Sequence, residues 1–258
     1  MTGLSVVVIT FNEEKNIARC LQSVKSIADE IIIVDSLSTD NTASIAKDYN
    51  ARIVSEPFRG YVEQKNFADN QAKYDWILSL DADEAISPEL EMSIRKIKEK
   101  QEYPAYELTR LTNYCGKWIR HCGWYPDKKI RLFNRTKGKW QGEQIHESWN
   151  LYDTHETCGN LSGDLLHYSY TTYSDHLKQI EKFTEIMARR DVASGKNYTL
   201  LRIIFSAKWK FFQSYFLQLG FLDGFAGFQV CLFSAFATYV KYSKIRQYQM
   251  FNQEGKKF

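Results

Sequence analysis

Asp81, Asp83 and Glu84 stand within four positions at the end of the apolar run Trp76–Leu80, in the stretch WILSLDADE. Carboxylates this close repel one another unless a cation lies among them or water screens them. A solvated turn capping the helix that begins at Ser87-Pro88 is one solution, and Glu84 fits that role. A bound divalent ion is the other. Asp81-Ala82-Asp83 has the spacing to hold Mg²⁺ or Mn²⁺, which commonly takes one or two protein carboxylates and completes its shell with phosphate and water.

Two more polar groups follow apolar runs in the same way. Thr10-Phe11-Asn12-Glu13 succeeds Leu4–Ile9, and Asp35 succeeds Glu30–Val34. In open α/β sheets ligands bind outside the carboxyl ends of the strands, so one sheet edge would gather all three segments. The first of them carries neither GxGxxG nor GxxxxGK[ST]. It has Glu13 and Glu14 where a dinucleotide fold or a P-loop would rest a phosphate on amide groups. A nucleotide diphosphate here needs another counter-charge, and a cation on Asp81 and Asp83 can supply it.

Elements that would position these groups are legible in the pattern. Leu4–Phe11, Glu30–Val34, Ala51–Ser55 and Asp75–Leu80 read as strands, the first two as runs buried on both faces. Ile17, Leu21, Val24 and Ala28 recur at helical spacing, with Asn12 as the cap and Glu13 and Glu14 in the first turn. Thr42–Tyr49 and Tyr61–Lys73 read as helices. Ser87-Pro88-Glu89 opens another, with its cap, its first-position proline and its first-turn acid. Strand alternating with helix predicts a doubly wound, mostly parallel α/β sheet. Beyond residue 100 the rhythm loosens. Tyr106–Leu111 and Lys129–Phe133 read as strands, and the chain from Tyr173 reads as helical.

The bulk numbers set bounds. With 258 residues and 44% apolar composition the chain can bury a large core. A net charge of +3 gives no reason to invoke nucleic acid. Five scattered cysteines without a CxxC pair read as free thiols of a reducing cytoplasm. Cys115, His121 and Cys122 are a weak alternative as metal ligands. The N-terminus lacks a basic n-region and reads as a first strand rather than a signal peptide.

The stretches VVVITFNEEKNIARCLQSV, EIIIVDSLSTDNT, QKNFA and WILSLDADE resemble glycosyltransferase family 2, the inverting enzymes of GT-A fold, over residues 4 to about 95. WYPDKKIRLFNR, QGEQIHESW and GFLDGFAGF look like the branch near lipopolysaccharide-core β-glucosyltransferases. The resemblance implies a uridine diphosphate sugar as donor and Mg²⁺ or Mn²⁺ as cofactor. Carried over by position, Thr10 and Glu13, with Asn12 between them, would contact the nucleoside. Asp35 would accept a hydrogen bond from the base, and Lys65 would lie near the nucleotide. Asp81 would meet the ribose or the metal shell, and Asp83 the metal. Ile9 stands where many members have proline, and Lys65 where many have arginine. The QxxRW motif of processive synthases is missing, which implies one sugar added per encounter.

Inversion needs in-line attack by an acceptor hydroxyl that gives up its proton to a carboxylate. Glu147 in QIHES is the leading candidate base, with Asp127 and Glu143 as rivals. His146 can orient it or bind acceptor. Arg131 can bond a phosphate or an acidic acceptor. His167, between Leu166 and Tyr168, is either a third metal ligand or a satisfied core histidine. Trp118, Trp124 and Trp149 can stack on sugar rings, although core packing suits at least one of them.

The expected organisation is a GT-A catalytic domain over 1–198, split into a nucleotide-sugar half (1–100) and an acceptor half (101–198), then a C-terminal helical extension (199–258). That extension interleaves Arg202, Lys208 and Lys210 with Phe205, Trp209, Phe211, Phe212 and Phe216. Its uninterrupted apolar stretch falls short of the ~20 residues of a span. A lipid headgroup surface, packing on the catalytic domain and a homo-oligomer interface are its three readings. The combined expectation is a metal-dependent glycosyltransferase, peripheral at the inner face of the cytoplasmic membrane. It would move one hexose, with glucose the candidate, to a lipid-linked or lipopolysaccharide-core acceptor. A nucleotidyltransferase and a non-catalytic sugar-nucleotide or glycan-binding protein are the alternatives. Glu13-Glu14 weighs against the first, and the Asp81/Asp83 pair against the second.

Overall fold

A computed structural model describes residues 1, 3–142, 147–196 and 198–253. The chain runs β1 (Leu4–Thr10), α1 (Ile17–Val24), β2 (Glu30–Asp35), α2 (Thr42–Lys47), β3 (Arg52–Ser55), α3 (Tyr61–Asn70), β4 (Trp76–Asp81), β5 (Glu84–Ile86) and α4 (Pro88–Glu99). There follow β6 (Ala105–Tyr114), β7 (Lys117–Ile119), β8 (Asp127–Asn134), β9 (Gly138–Gln141), β10 (Ser148–Leu151) and β11 (Gly159–Tyr170). Three helices close it: α5 (Tyr173–Ala193), α6 (Leu200–Phe212) and α7 (Gly224–Gln253).

The chain divides into two compact units, residues 1–111 with 126–168, and residues 112–125 with 169–258. The second unit thus takes in α5 and a short hairpin as well as the segment after residue 198.

The first unit is built on a mixed sheet of order β3-β2-β1-β4-β8-β6-β11-β5. β1 pairs in parallel with β2 and β4, and β2 with β3. From β4 outward the pairings of β8 with β4, β6 with β8 and β5 with β11 are antiparallel. The apolar runs of β1, β2 and β4 are buried because helices cover both faces of a parallel sheet. Leu4, Val6, Val8, Leu21, Leu78 and Leu90 belong to one cluster. Val7, Ile32, Ile77, Phe133, Trp140 and Trp149 belong to the other. Trp149 stacks on Phe133 at 4.5 Å between ring centres, so its place is the core.

Ser87 caps α4 as its sequence predicts, accepting from the Leu90 amide. Asn12 does not cap α1. That helix starts at Ile17, with no acid in its first turn. Asn12 lies in the left-handed region (φ 55°), and its side chain accepts from the Thr39 amide at 2.8 Å. It is committed to the neighbouring loop, and one extra turn intervenes before the helix.

In the second unit the end of β6 pairs with β7, and α5, α6 and α7 pack together. Tyr114, Ile119, Cys122, Val230 and Cys231 form its core, with Trp124 against them. Ile245 and Tyr248 of α7 pack with Ala188 of α5. Cys115 and Cys122 are free thiols, and His121 bonds Asp223 through Nδ1 at 2.9 Å.

Candidate active site

Strand register sets the site. Thr10 pairs with Asp35 across β1 and β2, and Ile9 pairs with Asp81 across β1 and β4. The carboxyl ends of three strands therefore lie side by side, as the sequence pattern predicts.

The loops after β1 and β2 are laced together. The Asn12 amide donates to Ser38 Oγ, the Glu13 amide to Thr42 Oγ1 and the Glu14 amide to Asp40 Oδ2. All three N–H groups that could cradle a phosphate are thus spent on side chains. Asp35 is buried, and its carboxylate accepts from the Ser38 amide and hydroxyl, so it shapes the loop that follows it. Thr10 ends β1 with a buried hydroxyl that has no partner. Glu13 is half-buried. Burial raises its pKa, the Asn16 side chain opposes this, and the charges of Asp83, Asp40 and Asp81 reinforce it.

The counter-charges for the acidic triplet come largely from the chain itself. Lys65, on α3 and 1% exposed, lies with Nζ 3.1 Å from Asp81 Oδ1 and 3.0 Å from Glu147 Oε1. Its approach to Asp81 Oδ1 is off hydrogen-bond geometry, so that oxygen is ion-paired rather than hydrogen-bonded. Arg131, buried on β8, bonds Asp81 Oδ2 at 2.8 Å and Glu84 Oε1 at 3.0 Å. Its guanidinium is turned to these carboxylates. Burial alone would raise the pKa of Asp81, but Lys65 and Arg131 more than offset it and hold the carboxyl well below the usual range. Glu84 is no solvated cap. It is buried in β5, accepts from the Asp81 amide and has Arg110 3.7 Å away.

Asp83 differs from both neighbours. The charged partner shown for it is His167, whose Nε2 lies 3.2 Å from Oδ2. Pairing of β5 with β11 sets His167 opposite Glu84, and the Tyr168 amide bonds the Asp83 carbonyl. Burial lowers the His167 pKa, yet the Asp83 charge and hydrogen bond outweigh it and the net shift is upward. His167 Nδ1 is buried without a partner. Among the described residues no group of three or more His, Cys, Asp or Glu is gathered to hold an ion alone. Asp83 can offer carboxylate oxygen to a hard cation shared with a phosphate, while the His167 nitrogen nearest it is paired with that carboxylate.

Two residues at the site escaped the sequence reading. Trp140 on β9 lies under both buried cations, its ring centre 4.7 Å from Lys65 Nζ and 5.6 Å from the Arg131 guanidinium carbon. Its indole N–H donates to Asp69 Oδ2 at 2.9 Å, and Asn66 brackets its backbone from α3. Burial pushes the Asp69 carboxyl up to about 7, against the Trp140 hydrogen bond and nearby cations. An aspartate one helical turn after Lys65 is the signal that could have marked α3 as more than a cover helix. Of the remaining candidates, Asp127 is ion-paired with Arg110 and Lys129. Glu143 and His146 lie outside the described residues.

Comparison with known proteins follows the same lines. The family model described as glycosyl transferase family 2 matches residues 5–150. An uncharacterized glycosyltransferase of Rickettsia typhi is 33% identical over 96% of this chain and 88% of its own length. The lipopolysaccharide core biosynthesis glycosyltransferase LpsC of Rhizobium meliloti is 29% identical over 95% of this chain and 92% of its own. A glucosyl-3-phosphoglycerate synthase from Mycobacterium tuberculosis, solved with Mn²⁺ and uridine diphosphate, is 26% identical over 44% of each chain with a TM-score of 0.36, too slight a likeness to build on.

Proposed function

The chain belongs to glycosyl transferase family 2, and from that premise we propose that it moves one hexose from a uridine diphosphate sugar to a lipid-linked or lipopolysaccharide-core acceptor, with inversion. The transfer takes place at the inner face of the cytoplasmic membrane. The observation that carries this reading is the sheet edge itself. Lys65 and Arg131 answer Asp81, while the charged partner of Asp83 among the described residues is the titratable His167. A relative named for lipopolysaccharide core biosynthesis supports a glycan acceptor.

The residues divide the work. The unpartnered Thr10 hydroxyl bonds the nucleotide at the end of β1, beside the loop that Asp35 shapes. Asp83 with His167 would hold Mg²⁺ or Mn²⁺, which would supply Lewis-acid stabilisation of the leaving diphosphate. Lys65 holds Glu147 through Oε1, and the other oxygen, Oε2, takes the proton of the acceptor hydroxyl. Nucleotidyl transfer is disfavoured because the amides after β1 are already engaged.

Donor hydrolysis tests this without knowledge of the acceptor. Release of uridine diphosphate should require Mn²⁺ or Mg²⁺ and fall by about 100-fold or more in Asp83→Ala. Unchanged release in that variant would remove the metal role assigned to Asp83.

A further inference from the structure

The second unit exposes large apolar side chains where a folded chain could have placed polar ones. Phe212, Phe216, Leu217, Phe221, Leu222 and Phe225 are all exposed within the connection from α6 to α7, the last at 72%. On α6 itself Leu201, Phe205 and Trp209 are exposed as well. Apolar patches beyond a few hundred Å² are rare on soluble monomers unless something covers them.

This connection is not a loose loop. It comprises a π-turn at Gln213–Leu217 and a 3-10 turn at Gly220–Asp223, joined through Leu219 in the left-handed region (φ 55°). A Cβ on Gly227 would meet the Gly220 carbonyl, so the turn needs glycine there to close on α7. Gln218 accepts the Cys122 amide through its carbonyl. Asp223, buried beneath the turn, accepts from the Arg120 and His121 amides and pairs with the His121 ring. Polar anchors point inward and phenylalanines outward, on a backbone that is tied down.

Charge identifies the occupant. Residues 199–253 hold six bases (Arg202, Lys208, Lys210, Lys241, Lys244 and Arg246) and one acid, Asp223. That acid is buried and engaged by His121. On α6 the exposed apolar side chains alternate in sequence with Arg202, Lys208 and Lys210, with no acid among them. Phenylalanine, tryptophan and lysine together suit the headgroup and upper acyl layer of an anionic bilayer. A second copy docked by a two-fold axis would set the same cations against one another.

The contact is interfacial. α7 is the one described helix long and apolar enough to cross a membrane, but Val230 and Cys231 hold it in one cluster and Ile245 and Tyr248 in another, and Lys244 pairs with Glu181 and Glu185 of α5. Spanning would strip away all of these contacts.

We propose that α6 and the turn from Phe212 to Phe225 form a docking surface for anionic lipid, seated by phenylalanine insertion and steered by Arg202, Lys208 and Lys210. This deepens the reading of a membrane-borne acceptor and rests on it for its purpose, though not for its test.

Co-sedimentation of the full chain with phosphatidylcholine vesicles, with and without phosphatidylglycerol, is the experiment. The wild type should pellet with the anionic vesicles and be released by salt. The triple variant Phe216→Ser, Phe221→Ser, Phe225→Ser should lose at least tenfold in partitioning while keeping its circular dichroism and its donor hydrolysis. Lys208→Glu, which leaves the turn intact, should weaken anionic binding alone. Equal pelleting with neutral vesicles, or undiminished binding by the folded triple variant, would overturn the proposal. So would a wild-type dimer in lipid-free sedimentation velocity that the triple variant abolishes, because a second copy would then be the occupant. Loss of donor hydrolysis with vesicle binding intact would instead count against the catalytic reading alone.

Discussion

Lys65 bridges Asp81 and Glu147 from almost complete burial, and removing one member of such a group leaves the others uncompensated. Breaking a buried ion pair costs ~3–5 kcal/mol. Lys65→Met should therefore lower the denaturation midpoint by a corresponding amount, measured by urea unfolding. Glu147→Gln keeps an oxygen for Lys65 but cannot take a proton. Its turnover should fall by about 100-fold or more with the donor KM little changed, in steady-state transfer assays. Turnover that survives would pass the role of base to another carboxylate, Asp127 being the next candidate. The two variants separate holding from proton transfer, since the first should damage stability and the second the rate.

At the scale of elements, α3 and β9 meet through Asp69, Asn66 and Trp140, and the joint is sensitive to pH. The Asp69 carboxyl rises from an ordinary 3.8 to about 7 in the folded chain. Between roughly pH 4 and 7 the native state keeps a proton that the unfolded chain has lost, so stability from this group is full below that window and gone above it. Asp69→Asn still accepts the indole N–H and cannot ionise. Its melting temperature should match wild type near pH 4 and exceed it above pH 7, in scans across that range. The same joint marks the limit of what the sequence discloses. Thr10, Asp35 and Asp81 were legible because a parallel register follows from apolar runs and strand-helix rhythm. His167 beside Asp83 and Arg131 on Asp81 depend on antiparallel pairings in the second half of the sheet, and Trp140 under Lys65 on the separate β9–β10 hairpin, between residues as far apart as Asp83 and His167. No local pattern encodes those. Asn12 misled for a related reason: an Asn ahead of a helical stripe reads as a cap, and only the neighbouring loop reveals that its side chain is taken.

At the scale of the whole molecule, the chain sets two kinds of surface in two compact units. The polar edge of the first unit offers an orphan hydroxyl and a carboxylate facing histidine. The turn of the second offers exposed phenylalanine. Ligands that bind only the native state protect the groups they cover and raise the free energy of opening them. Uridine diphosphate with Mn²⁺ should therefore slow amide exchange in the peptides around Thr10–Glu13, Ser36–Asp40 and Asp81–Glu84. Anionic vesicles should slow it in peptides spanning Phe212–Phe225. Because the amides of Asn12, Glu13 and Glu14 are already bonded to side chains, nucleotide protection there should come as tightening of existing bonds. The expected change is a several-fold slowing rather than the appearance of protection where none existed. Hydrogen exchange followed by mass spectrometry, with each ligand alone and with both together, measures this directly. A nucleotide footprint that bypasses Asp81–Glu84 would displace the donor from the sheet edge, and with it the roles given to Asp83 and Glu147.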